Sequence, residues 1–162
     1  MTTSESTELT RTLAELRAGV RVTVRDLTDA DIAKRTTVSE LTLGGIIKHL
    51  TQGERAWTHI MCARPGVPDR MFDTSQYYLD GESLASLLAD YEAAAAETDA
   101  AVAALSDLSA TVPLPEAPWH PGVINHWSAR RILLHLVKET AQHAGHADLI
   151  RESLDGAQST GA

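Results

Sequence analysis

Apolar residues recur every three or four positions in four long stretches, the spacing of helices with one buried face. Leu9, Leu13, Leu16 and Val20 predict a helix over about 6–27. Leu43, Ile46, Ile47, Leu50, Trp57 and Ile60 predict a second over about 39–62. Its start is contested: Thr37 and Glu40 have capping-box spacing, while Ser39 and Thr42 are rival N-caps. Leu84, Leu87, Leu88, Tyr91 and Ala95 predict a third over about 82–105. The fourth, over about 128–154, is bracketed by Ser128 as N-cap and Gly156 as C-terminal stop. Thr28, three residues before Asp31, predicts a short helical turn through Lys34.

Two proline-bearing stretches, 63–81 and 106–127, separate the last three helices and read as long loops. No repeat or linker divides the chain, so residues 1–162 are expected to form one domain. The expected fold is an all-α four-helix bundle with at least one crossover connection.

The fourth helix breaks its own apolar pattern. Its inward ladder runs Ile132, Leu136, Glu139, His143, Ala147 (or His146), Ile150, Leu154. Burying an unpaired carboxylate costs several kcal/mol or more, so Glu139 needs a hydrogen-bond partner, a cation or a metal ion. Spacing of four residues lets Glu139 and His143 converge, and bundles build metal sites from such inward side chains. His49, mid-helix beside Ile46 and Leu50, is the best third ligand. Gly53, one turn on, leaves room for a bound molecule. Two imidazoles and a carboxylate suit Zn²⁺, and also Ni²⁺, Fe²⁺ or Mn²⁺. The plainer alternative is that Glu139 and His143 pair with an Arg or with each other.

The remaining polar residues divide less sharply. His146 could be a ligand or support one; His135 and His59 read as structural. Glu54 could pair with Arg55 or Arg131, or act as a general base. Cys62, the single cysteine, reads as a small buried hydrophobe and excludes both an internal disulfide and a cysteine-based zinc cage. Gly-x-Ser-x-Gly, CxxC, HExxH, EF-hand and phosphate-loop patterns are absent from the sequence.

Charge narrows the partners. Twenty-two acids against 14 bases give a net charge of −8, which repels a phosphate backbone, so nucleic acid is not expected. No run of eighteen apolar residues offers a membrane span. Residues 1–10 lack the basic and apolar regions of a signal peptide, so a cytoplasmic location is expected.

Two blocks carry a family resemblance. Residues 41–50, through Gly44, Gly45 and His49, and residues 139–148, through Glu139, His143 and His146, resemble the ligand-bearing blocks of the DinB / YfiT-like superfamily of metal-binding four-helix bundles. Many members of that superfamily use three histidines. Glu139 at the first position of the second block resembles instead the mycothiol-dependent branch, with its S-transferases and maleylpyruvate isomerases. The run 127–135, from Trp127 through Arg130 and Arg131 to His135, is similar to the start of the last helix in the S-transferase subset.

The resemblance implies an up-down-down-up, right-handed bundle, frequent homodimers, and His49, Glu139 and His143 as ligands of a divalent metal. The expected activity is transfer of mycothiol, or a similar small thiol, to an electrophile. In that reading His146 or Asp148 orients a ligand, and Glu54 stands by as a base. Arg130 or Arg131 binds an acidic group of thiol or substrate, or equally forms a structural ion pair, while Trp127, with Trp119, His120 and His126, lines the mouth. The alternatives are a mycothiol-dependent isomerase of a maleylpyruvate-type substrate and a non-catalytic, stress-related bundle that the metal staples.

Overall fold

The computed structural model describes residues 4–159, except the side chains of Thr74 and Gln76. Among the described residues five helices run in the order α1 (Glu5–Thr23), α2 (Asp29–Ile32), α3 (Leu43–Met61), α4 (Leu84–Ala104) and α5 (Ala129–Asp155). A 3₁₀ turn covers Thr74–Tyr77, and two three-residue strands, β1 (Thr111–Pro113) and β2 (His126–Ser128), pair antiparallel with Val112 opposite Trp127. Neither of these smaller features was expected. Among the described residues no helix is long and apolar enough to cross a membrane.

The helix ends follow local capping chemistry. Ser4, Thr28, Thr42, Ser83 and Ser128 each accept a backbone N–H three residues on. At Thr28 the Asp31 side chain returns the bond, completing a capping box. Thr42 wins over Ser39, so α3 starts at Leu43 rather than at 39. The Thr37 and Ser39 hydroxyls instead accept from the N–H groups of Ser39 and Leu41 in the preceding turn. α1 stops at Thr23, short of the expected 27, because Asp26 takes a left-handed φ of 62°. Gly156, with φ 80°, closes α5.

Side-chain pairs set the helix directions. Arg130 holds Glu5 and Arg151 holds the Thr23 carbonyl, so α1 and α5 run parallel. Lys48 meets Glu82 and the Thr58 hydroxyl meets that of Thr98, so α3 and α4 are also parallel. His49 faces His143, and Trp57 faces His135, so α3 and α5 are antiparallel. The order is up-down-down-up for α1, α3, α4 and α5. Parallel neighbours in sequence need a crossover, and residues 62–83 provide it.

Two apolar clusters fill the bundle. One gathers Val20, Ile46, Ile47, Leu87, Tyr91 and Ile150; the other Leu13, Ile60, Met61, Val102, Ile132 and Leu133. Between them in the sequence of each long helix come buried polar residues: Arg17, Glu54, Thr58, Thr98, Thr140 and His143. The interior is therefore polar in its middle, where a site can be built.

Candidate metal centre

Gly44 and Gly45 at the start of α3 determine how closely the crossover can approach. A Cβ at Gly45 would overlap the Tyr77 carbonyl oxygen, and one at Gly44 would lie 2.8 Å from Leu79. Lys48 secures the same segment by donating to the Tyr78 carbonyl at 2.7 Å. The Tyr77 ring then stacks on His49, one turn along α3, with centroids 4.2 Å apart and planes 18° from parallel.

His49 meets His143 of α5 with ring centroids 4.7 Å apart. Glu139, one turn before His143, places its Oε2 3.9 Å from His143 Nε2. One donor atom from each of His49, Glu139 and His143 lies within 4.8 Å of the other two. The Tyr77 hydroxyl lies 3.5 Å from the same Nε2. On the opposite edge of the ring, His146 Nδ1 lies 3.4 Å from His143 Nδ1. His146 therefore sits behind His143, and Nε2 is the edge of His143 turned to the cluster.

Burial, joined by the nearby His49 and His146 and opposed by Glu139, lowers His143 to a pKa of about 4. It is neutral at pH 7, which is the form that ligates metals. Among the described residues Glu139 has no arginine partner, and the exposed Lys138 lies 3.6 Å away. The plainer pairing with an Arg is therefore not what the structure contains. Two imidazoles and a carboxylate gathered from antiparallel helices fit a borderline first-row divalent cation.

Glu139 is less buried than its place in the apolar ladder predicts: 27% of its side chain is exposed. The cause is a cavity of about 300 Å³ between α3, α5 and the two long loops. His49, Gly53, Glu54, Trp57, Met71, Phe72, Trp119, His135, Leu136 and Glu139 are among the residues that line it. A Cβ at Gly53 would meet nothing within 4 Å, in line with the room expected there. Trp57 is fixed by stacking on Trp127, with centroids 5.0 Å apart and planes 4° from parallel, and by the edge of His135. Burial holds His135 below its ordinary pKa. Phe72 and Trp119, from different loops, meet edge to face at 5.4 Å over the cavity.

Other expected site residues lie elsewhere or have other partners. Glu54 pairs with neither Arg55 nor Arg131. Its carboxylate is gripped by Arg17 of α1, whose Nη1 also donates to Asp99 at 3.0 Å. Burial raises the Glu54 carboxyl, and the Arg17 charge opposes that rise. Arg55 turns to Asp90 and Glu97 on α4. Arg130 is held by Glu5 through two hydrogen bonds of 2.6 and 2.9 Å. Arg131 lies 4.3 Å over the Trp127 ring.

Trp127 backs the cavity wall through Trp57, and Trp119 lines the cavity itself. His120 and His126 are exposed and do not line it. Asp148 makes no hydrogen bond to Glu139 or His143 among the described residues. Cys62 caps the end of α3, about 20 Å along the helix from His49 at 1.5 Å per residue. Tyr77, Phe72 and Arg70 escaped the sequence reading. The first could have been found from Gly44 and Gly45, since a glycine pair opening a helix marks a close backbone approach.

Known proteins resemble the chain in fold and in family. The chain is similar in structure to a conserved protein from Enterococcus faecalis, with a TM-score of 0.75 and 14% identity over 96% of this chain and 100% of that one. None of the curated proteins matches the chain. The family model for mycothiol-S-transferase matches residues 8–156. Nearly the whole bundle falls within that match, and the chain belongs to the mycothiol-S-transferase family of DinB-like bundles.

Proposed function

We propose that this protein is a metal-dependent transferase that joins mycothiol, or a similar low-molecular-weight thiol, to electrophilic substrates. The observation that carries the reading is the cluster of His49, Glu139 and His143 opening on a 300 Å³ cavity. The family match supports the thiol.

In this reading His49, Glu139 and His143 hold a divalent ion, with Zn²⁺ the best fit to two imidazoles and a carboxylate. Such an ion, when bound, lowers the pKa of a thiol beside it, so that the nucleophilic thiolate is available at neutral pH. The chain's own residues supply the rest. His146 fixes the ring of His143 from behind, and Tyr77 fixes that of His49 by stacking; neighbours of this kind orient ligands. The Tyr77 hydroxyl stands within reach of the cluster as a hydrogen-bond donor. Trp57, Met71, Phe72 and Leu136 keep the cavity apolar, which limits competing attack by water. Arg17 holds Glu54 as an ion pair, so Glu54 stabilises the cavity floor instead of acting as a base.

The test is thiol consumption by untagged protein with a reactive electrophile, comparing mycothiol with glutathione. The expected result is protein-dependent loss of mycothiol that a chelator abolishes and that glutathione does not reproduce. Mycothiol loss at the same rate without protein would contradict it. Isomerisation of an unsaturated diacid with no net thiol consumed would favour the isomerase alternative.

A further inference from the structure

The chain is poor in aromatic residues, with three Trp, three Tyr and one Phe. The only Phe and two of the three Trp nevertheless line one cavity. Trp57 is immobilised there by Trp127 and His135, while Phe72 and Trp119 meet edge to face. Flat, fixed rings favour another flat ring over a flexible chain. At about 300 Å³ the space stands at the small end of ligand pockets and suits one or two fused rings. A strongly hydrated, flexible molecule would lose its hydration against such walls.

Charge at the cavity leaves one exposed cation, Arg70, which is ion-paired along one edge with Asp73. Glu54 is neutralised by Arg17, and Glu139 belongs to the ligand cluster. Among the described residues Arg70 is the only Arg or Lys that lines the cavity. Its backbone takes a left-handed φ of 56°, uncommon for a residue with a side chain. Its Nε donates to Asp73 at 2.9 Å. Among the described residues its two terminal nitrogens have no hydrogen-bond partner, so a planar donor fork remains for an anion.

We infer that the cavity selects planar aromatic electrophiles bearing a carboxylate or similar anionic group, with Arg70 as the residue that recognises the anion. The inference rests on the transferase reading for the word electrophile, but the recognition itself needs neither thiol nor turnover. In the transfer, the thiolate sulfur pair forms the new carbon–sulfur bond. The leaving group departs with the electron pair of the bond that breaks, and the thiol proton passes to solvent.

Calorimetric titration of the protein as purified, without thiol, with 4-nitrobenzoate, 4-nitrobenzamide and cyclohexanecarboxylate tests it. The nitrobenzoate is expected to bind about tenfold or more tighter than either other compound. Arg70→Gln should remove the preference over the amide and leave amide binding unchanged, which also shows that the variant is folded. Phe72→Leu should narrow the preference over the cyclohexane acid. Equal binding of acid and amide by the unaltered protein would overturn the inference, as would a charge preference that survives in Arg70→Gln. Mycothiol transfer to a small uncharged electrophile such as iodoacetamide, alongside absent nitrobenzoate binding, would sink this inference and leave the transferase reading standing. Binding as expected with no mycothiol transfer would do the reverse.

Discussion

His143 is the residue on which the site turns, and its environment gives it a pH dependence. Its folded pKa of about 4 lies below the ordinary 6.5 because it is buried next to His49. Between those two values the unfolded chain binds a proton that the folded chain refuses, so stability falls as pH drops through this window. In metal-stripped protein the loss should approach about 3 kcal/mol by pH 4. Thermal unfolding across pH 4–7 measures it, and His143→Ala should flatten the curve in that range. The convergence of Glu139 and His143 was legible from sequence because a carboxylate and an imidazole interrupt an apolar ladder at helical spacing. Glu139's partial exposure was not, since a cavity leaves no trace in the periodicity of its walls. For Arg130 a structural ion pair was one of the two expected roles, but its partner, Glu5, is remote in sequence and could not be named.

At the scale of elements, the start of α3 and the crossover form one unit. Gly45 admits the Tyr77 carbonyl, and the turn at Thr74–Tyr77 then delivers a ring to His49. Gly45→Ala should destabilise the fold by roughly 1–3 kcal/mol, because the backbone of the turn has to move. Gly53→Ala is the contrasting case. It faces open space in mid-helix and should be neutral or stabilising by up to about 1 kcal/mol. Denaturant unfolding of both variants checks the pair, and equal effects would contradict the close-approach argument. The four long helices were readable from period and caps to within a few residues. The strands β1 and β2 were not, being three residues each with Pro113 in one of them. Pairing between distant segments outweighs local propensity there.

The whole molecule is two apolar clusters joined by a polar middle, and Arg17 is the largest of its fully buried side chains. Its position, four residues after Leu13 and three before Val20, lies on the buried stripe of α1. A charge on that stripe calls for a buried partner, a signal that escaped the sequence reading. Arg17→Met should cost about 3–5 kcal/mol by leaving Glu54 buried and unpaired. Replacing both by apolar residues should recover most of that. Urea unfolding of the single and double variants reads the difference. A double variant no more stable than Arg17→Met would show that the network does more than neutralise Glu54.

The central claim is that α3 and α5 share one cation through His49, Glu139 and His143. Mass-spectrometric metal analysis of the untagged protein, after incubation with Zn²⁺ and exhaustive dialysis, tests it most directly. The account predicts about one ion per chain, and near-complete loss in a His143→Ala variant whose circular dichroism remains helical. An unaltered protein that retains no ion, or a folded His143→Ala variant that retains its full load, would contradict it.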